Sequence, residues 1–201
     1  MNRPNYIQEI RSRIDAAQIG SVFVASDFAD ITETKRISEC LVRLSNDNTL
    51  KCVMRGVFYK PEYSALLEEY IAPAPDAVAH AIARNFGWTI IPCGDTALNL
   101  LGLSTQVPVV WSYVSDGPYK EYSYDNTTIK YKHTTNKEIS KLSPKTSLVI
   151  QALRALGKDN IQQETIARIK AETTIAERGA MLTEAQYATA WIYETIKTIC
   201  R

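Results

Sequence analysis

The sequence predicts an α+β protein, and three observations lead to that fold class. Segments with a helical spacing of apolar residues are followed by a hairpin pattern within the first 60 residues. Strand-like stretches separated by turn residues lie between positions 109 and 133. Helical spacing returns from residue 143 to the end of the chain. We therefore expect helices and a hairpin first, then an α/β region with a small antiparallel sheet, and a helical C-terminus.

The composition limits the classes of protein that fit the chain. With 201 residues, 45% of them hydrophobic, and a net charge of +1, the chain can form one large domain or two small ones. The four cysteines are scattered and the two histidines lie far apart, so we expect free thiols and no metal site. The first 15 residues lack an apolar signal core, and no apolar run reaches the length of a membrane span. These features predict a cytoplasmic protein with no membrane partner.

The region before residue 50 is predicted to be mostly helical. Its elements are a helix from Tyr6 to Ala17, a short strand at residues 22–24, a short helix at 27–31 and a helix at 33–44. Ser26 and Thr32 are the expected N-caps of the second and third helices. In the third helix, Ile37, Leu41 and Leu44 share one face, which we expect to be buried.

The stretch Leu50 to Pro61, LKCVMRGVFYKP, has the pattern of a β-hairpin. Two short apolar runs flank the pair Arg55-Gly56, and a proline closes the second run. A tight hairpin loop needs a positive φ, which glycine adopts without steric cost. The order is therefore helix, short strand, helix, helix and hairpin within 60 residues.

This order predicts a winged helix-turn-helix domain over residues 1–60, followed by an α/β domain over residues 61–201. In a winged helix the third helix enters the major groove of DNA and the hairpin lies along the backbone. The candidate DNA-binding residues are then Thr34, Lys35, Arg36, Ser38, Arg43, Lys51 and Arg55. The alternative is a winged helix that packs on a protein partner, because residues 1–60 hold nine Lys and Arg against seven Asp and Glu.

The remaining elements follow from proline, glycine and capping signals. We predict a connector with one short helical piece at 61–74, a helix at 76–87, a strand at 88–92 and a helix at 94–104. Three antiparallel strands are expected at 109–115, 119–124 and 127–133, followed by helices at 144–157, 160–172 and 184–199. Thr183 and Gln186 have the spacing of a capping box for the last helix. Phe86, Leu98, Leu101 and Trp191 are expected in one C-terminal core, and Tyr187 on the inner side of the last helix.

The motifs of common enzymes are missing from the sequence. It contains no Walker loop, no G-x-S-x-G elbow, no H-E-x-x-H and no D-x-D or D-x-E pair on a predicted strand. Asp95, between Gly94 and a helix, has the position of an N-cap. We therefore predict no catalytic residues, no cofactor and no metal. An enzyme that acts on nucleotides through the central sheet is a less favoured hypothesis.

Two stretches resemble the AbiEi antitoxins of bacterial abortive-infection systems, which are type IV toxin–antitoxin systems. They are VRLSNDNTLKCVMRGVFYKP (42–61) and GDTALNLLGLSTQVPVVWSYVSDGP (94–118), and the helical end is also similar. The resemblance implies an N-terminal winged helix that binds inverted repeats in operator DNA and represses its own operon. It also implies a C-terminal part that opposes a toxin of the nucleotidyltransferase type.

Overall fold

The computed structural model describes residues 5–134 and 142–201 as two compact units. One unit ends at Trp88 and the other begins at Thr89. Both mix helices with short strands, and the chain ends in a run of helices. The predicted α+β class, with small antiparallel sheets and a helical C-terminus, is confirmed.

The N-terminal unit begins with helices around one apolar core. Its elements are α1 (Tyr6–Ala16), β1 (Val22–Phe23), a 3-10 helix (Ala25–Phe28), α2 (Thr34–Asn46), β2 (Lys51–Met54), β3 (Val57–Tyr59), β4 (Glu62–Ser64), β5 (Glu69–Ile71) and α3 (Pro75–Phe86). The helices at 6–17 and 33–44 and the strand at 22–24 were predicted from apolar spacing, and the structure confirms them within two residues. The core joins residues of α1 and α2 with Phe28 and Phe58.

The caps of the short helices differ from the prediction. The 3-10 helix begins at Ala25, and Asp27 accepts a hydrogen bond from the backbone N–H of Val24 at 2.9 Å. The N-cap of α2 is Glu33 rather than Thr32, and its side chain makes no capping hydrogen bond. Ser26 and Thr32 were therefore wrong as caps, because the 3-10 helix begins two residues before its predicted start and α2 begins one residue after its own.

The predicted hairpin from Leu50 to Lys60 is confirmed as β2 and β3. The first sheet has the strand order β1-β3-β2, and both pairings are antiparallel. Gly56 has a φ of +81°, the conformation that the turn requires. Val57 and Phe58 are buried, which anchors β3 in the core.

Residues 61–74 form a second hairpin, so the predicted helical piece was wrong. The strands β4 and β5 pair antiparallel, and Tyr63 lies opposite Tyr70 with ring centroids 5.3 Å apart. The sequence between them, ALLE, consists of helix-forming residues, but four residues are too few to offset the cost of starting a helix. Glu68 instead takes a positive φ of 54° in the turn.

Helix α3 completes the N-terminal unit, which therefore extends past residue 60. Pro75 occupies its first turn and Gly87 ends it with a φ of +69°, as the sequence predicted. The helix packs on β1, β3 and the 3-10 helix, and Arg84 donates hydrogen bonds to Asp27 and to the carbonyl of Val22. Phe86 is 53% exposed and stacks on Trp88, so its predicted burial in a C-terminal core was wrong.

The C-terminal unit combines a mixed sheet with helices. Its elements are β6 (Ile90–Pro92), α4 (Asp95–Leu100), β7 (Val110–Ser115), β8 (Lys120–Tyr124), β9 (Thr127–His133), α5 (Pro144–Leu156), a 3-10 helix (Lys158–Asn160), α6 (Gln163–Ala171), α7 (Ile175–Glu184), a 3-10 helix (Ala185–Tyr187) and α8 (Ala190–Cys200). The N-cap of α4 is Gly94, and Asp95 is its first helical residue.

The three predicted strands between 109 and 133 are present, but one of their pairings differs. The strand order is β6-β7-β9-β8, so β9 inserts between β7 and β8. The pairs β6–β7 and β8–β9 are antiparallel, whereas β7 and β9 run parallel. The turn residues showed where each strand ends but not which strand lies beside which.

The C-terminal helices close a core that contains Leu101, Leu153 and Ile196. Leu98 and Trp191 pack against this core and are partly buried. The predicted capping box at Thr183 and Gln186 was wrong, because Thr183 lies inside α7 and a capping box stands at its start, between Thr174 and Glu177. Within residues 5–134 and 142–201, no helix has both the length and the apolar character needed to cross a membrane.

Candidate nucleic-acid interface

Helix α2 buries one face and exposes the opposite face. Ile37, Leu41 and Leu44 are buried in the core, which fixes the rotation of the helix about its axis. The residues of α2 that were predicted to contact DNA all lie on exposed positions: Thr34, Lys35, Arg36, Ser38 and Arg43. These five positions extend along slightly more than two turns and around the exposed part of the helix.

The exposed face of α2 also contains residues that the sequence analysis did not select. Val42 is 50% exposed, and Glu39 and Asn46 are exposed as well. Measured at 100° per residue, Lys35, Val42 and Asn46 lie on one stripe, opposite the buried trio. The same helical spacing that identified the buried face would have identified this stripe.

The two positive charges on the first turn of α2 have different surroundings. Arg36 donates a hydrogen bond to Glu33 at 2.7 Å and lies 5.8 Å from the centre of the Tyr6 ring. The hydrogen bond to the Glu33 carboxylate raises the pKa of Arg36 above its ordinary value. Lys35, one residue earlier, makes neither an ion pair nor a hydrogen bond within the described part of the chain. Lys35 is therefore the less constrained of the two cations.

The remaining polar residues of α2 lie farther along the helix. The hydroxyl of Ser38 donates to the carbonyl of Thr34 at 2.9 Å, and its oxygen stays exposed as an acceptor. Arg43 borders a shallow depression next to Cys40 and Tyr6. No ion pair or hydrogen bond holds the Arg43 guanidinium in the described residues.

The β2–β3 hairpin places its two cations differently. Arg55 lies in the exposed turn beside Gly56 and makes neither an ion pair nor a hydrogen bond among the residues that the structure describes. Lys51 is half-buried, donates to Asn48 at 2.7 Å and lies 4.4 Å from the centre of the Tyr70 ring. Lys51 therefore ties β2 to the second hairpin, a structural role that sequence spacing gave no means of foreseeing.

The other cations of the N-terminal unit are engaged. Arg11 pairs with Asp47, and Arg13 makes two hydrogen bonds to Asp30 at 2.9 and 2.8 Å. Arg84 pairs with Asp27 at 2.9 Å, and Lys60 donates to the carbonyls of Asp15 and Ala17. Of the lysines and arginines between residues 5 and 88, those without an ion pair or hydrogen bond are Lys35, Arg43 and Arg55.

Within residues 5–134 and 142–201, no three His, Cys, Asp or Glu side chains come together in a cluster suited to a metal ion. The four cysteines are free, and burial raises the pKa of each thiol.

The fold and this surface define a mixed α+β protein with an exposed, partly cationic helix and a hairpin whose second strand is buried in the same core. A family model described as "Family of unknown function (DUF6088)" matches residues 9–177, which includes most of both units. The chain therefore belongs to the DUF6088 family. No curated protein matches the chain.

Proposed function

We propose that the N-terminal unit contains a winged helix-turn-helix that binds operator DNA, with α2 in the major groove and the β2–β3 turn on the backbone. The order of elements supports this assignment. Helix α1, strand β1, the 3-10 helix and helix α2 precede the hairpin, and the strand order β1-β3-β2 puts both hairpin strands in one sheet with β1. Winged helices that bind DNA use the helix before the hairpin for base contacts.

The observation that carries the proposal is the distribution of unpaired cations. Lys35, Arg43 and Arg55 were all selected from the sequence as DNA contacts, and they are the cations of residues 5–88 without an ion pair or hydrogen bond. A cation that already has a carboxylate partner must give up that pairing before it binds a phosphate. Unpaired cations bind phosphate without that cost, and they release counterions when they do so.

The exposed stripe of α2 has the chemistry needed for base contacts. Asn46 can bind the edge of an adenine through its amide, and Val42 can pack on the methyl group of a thymine. Lys35 can donate to the N7 and O6 acceptors of a guanine. Glu39 lies on the same face, where it repels phosphate and can accept a hydrogen bond from a cytosine amino group.

The biological role in the proposal is that of an antitoxin and autorepressor in the cytoplasm. The likeness of residues 42–61 and 94–118 to the AbiEi antitoxins supports this role. We propose that the chain represses its own operon through inverted repeats and opposes a nucleotidyltransferase-type toxin encoded beside it.

The proposal is tested by titrating the full chain against its own promoter region in a fluorescence anisotropy assay. We expect binding to the promoter to be at least tenfold tighter than binding to a random duplex of equal length. Lys158→Ala, a change at an exposed lysine of the C-terminal unit, is the control variant and should keep the promoter affinity of the parent. Equal affinity for the two duplexes at every salt concentration would contradict the proposal.

A second candidate function is a protein-interaction module without sequence-specific DNA binding. The observation that favours it is the β4–β5 hairpin, where Leu66 is 92% exposed and Tyr63, Leu67 and Ile71 are also exposed. Exposed apolar groups that lie close together are typical of protein contact surfaces. A chain that does not bind its promoter but copurifies with the neighbouring gene product through this hairpin would support this second function.

A further inference from the structure

The C-terminal unit contains a cavity of about 410 Å³ between α5 and the end of α7. This volume lies within the range of small-molecule sites. Ile91, Ile150, Ala185 and Ala188 form apolar walls, and polar side chains of α5 interrupt them. The described residues that line the cavity all belong to the C-terminal unit.

Two polar side chains of α5 in the cavity lining have no hydrogen-bond partner among the described residues. Gln151 is 9% exposed, and its amide makes no hydrogen bond there. Ser147, four positions earlier on the same face of the helix, is 2% exposed, and its hydroxyl is buried below the cavity surface. Buried polar groups in proteins are nearly always paired, so the Gln151 amide points to a polar ligand in the cavity.

The opposite wall adds an acceptor and an aromatic ring. Glu184 accepts hydrogen bonds from the backbone N–H and the hydroxyl of Ser143, both at 2.8 Å. Burial opposes the ionisation of Glu184, but hydrogen bonds from Thr146 and Ser143 outweigh it and hold its pKa below the ordinary value. Tyr187 lines the cavity yet is 97% exposed, although the sequence placed it on the inner side of the last helix. Thr183 and Arg154 complete the polar lining.

We propose that this cavity binds a free nucleoside whose base carries an exocyclic amino group, with adenosine as the probe. The Gln151 amide offers one donor and one acceptor side by side, which matches the amino group and ring nitrogen of adenine. The ionised Glu184 is a second acceptor for the amino group. The Tyr187 ring can stack on the face of the base at the rim of the cavity.

The proposal is tested by isothermal titration calorimetry on the full chain with adenosine and purine riboside. Purine riboside has the same ring nitrogens but a hydrogen in place of the amino group, so its base cannot donate to Gln151 or Glu184. We expect adenosine to bind at least tenfold more tightly than purine riboside. No heat of binding from adenosine at millimolar concentration, or equal affinity for purine riboside, would overturn the proposal.

Variants distinguish the cavity from other surfaces. Gln151→Leu is expected to weaken adenosine binding at least tenfold, while Gln186→Leu changes an exposed glutamine outside the lining and leaves it unchanged. Tyr187→Ala removes a ring that is 97% exposed, so it is expected to keep the melting temperature of the parent while weakening adenosine binding. Should Gln151→Leu not fold, Tyr187→Ala decides the test. Adenosine binding at parental affinity in a folded variant would overturn the assignment, whatever the DNA titration shows.

Discussion

The two consecutive hairpins of the N-terminal unit have short antiparallel strands but differ in what holds them and in what they expose. The first hairpin, β2–β3, has its second strand buried in the core and exposes the cation Arg55 at its turn. The second, β4–β5, has no buried residue on either strand and exposes Leu66 and Leu67. An isolated two-stranded hairpin is barely stable in water, so the second depends on the Tyr63–Tyr70 contact and on Lys51.

The charges of the two hairpins also differ in sign. Lys51 and Arg55 are the charged residues of the first hairpin, whereas Glu62, Glu68 and Glu69 are those of the second. A DNA backbone therefore favours the first hairpin and disfavours the second. Under the proposed function, the first hairpin belongs to the nucleic-acid surface, and the second is the stronger candidate for an apolar contact.

The largest expected difference between the hairpins is in stability. Phe58, in β3, is 5% exposed, and Phe58→Ala should lower the free energy of unfolding by about 3–5 kcal/mol. Tyr63→Ala, in β4, should cost about 1 kcal/mol or less, because the side chain is exposed and loses chiefly the contact with Tyr70. Urea denaturation of both variants measures the difference. Equal costs would show that the second hairpin is anchored as firmly as the first.

A smaller effect is expected on DNA recognition. Lys35→Ala should cost about 1–3 kcal/mol on the promoter and much less on random duplex, because a lost base contact affects the specific site. Glu68→Ala, in the turn of the second hairpin, is the control and should not weaken binding. Anisotropy titrations with both duplexes make the comparison. An equal loss on both duplexes would assign Lys35 to a phosphate instead.

The N-terminal unit also contains a pair of side chains, His80 and Asp76, whose contribution to stability depends on pH. On α3, which packs on β3, a hydrogen bond from His80 to Asp76 raises the pKa of His80 above its ordinary 6.5. A folded-state pKa above the unfolded one means that this stabilisation is complete below pH 6.5 and is lost as the pH rises through the folded-state value. In urea denaturation, the free energy of unfolding should therefore differ less between about pH 5.5 and pH 8.5 in His80→Gln than in the parent. An unchanged difference would show that the pair does not contribute.

The smallest effect is expected from the leucines of the second hairpin. Changing Leu66 and Leu67 to Ser should alter the free energy of unfolding by about 0.5 kcal/mol or less, because both side chains are exposed. DNA affinity should match that of the parent. A loss of DNA affinity in this variant would mean that the second hairpin belongs to the nucleic-acid surface.

The sequence predicted those elements that have strong local signals. Pro75, Gly87 and Gly56 marked helix and turn boundaries because their backbone preferences act locally. The spacing of Ile37, Leu41 and Leu44 identified the buried face of α2, and with it the exposed positions of the candidate site.

The parts that failed depend on contacts between residues far apart in the chain. The insertion of β9 between β7 and β8 is a choice of neighbour that no local pattern encodes. The second hairpin was missed because helix-forming residues at 65–68 form a turn when the strands around them pair. Likewise, nothing local indicated that Lys51 is engaged while Arg55 is not: the ring that Lys51 contacts, Tyr70, lies 19 positions later in the sequence.

The central claim is that Lys35, Arg43 and Arg55 contact the phosphates and bases of DNA. The most direct test is the salt dependence of promoter affinity for the parent and for the triple variant with alanine at these three positions. The slope of log K against log salt is negative, and each lost phosphate contact reduces its magnitude by about 0.9, so three lost contacts predict a decrease in magnitude of up to about 2.7. A base contact by Lys35 reduces the expected decrease to about 1.8 and adds a loss of specificity. A folded triple variant with the slope and the affinity of the parent would contradict the claim.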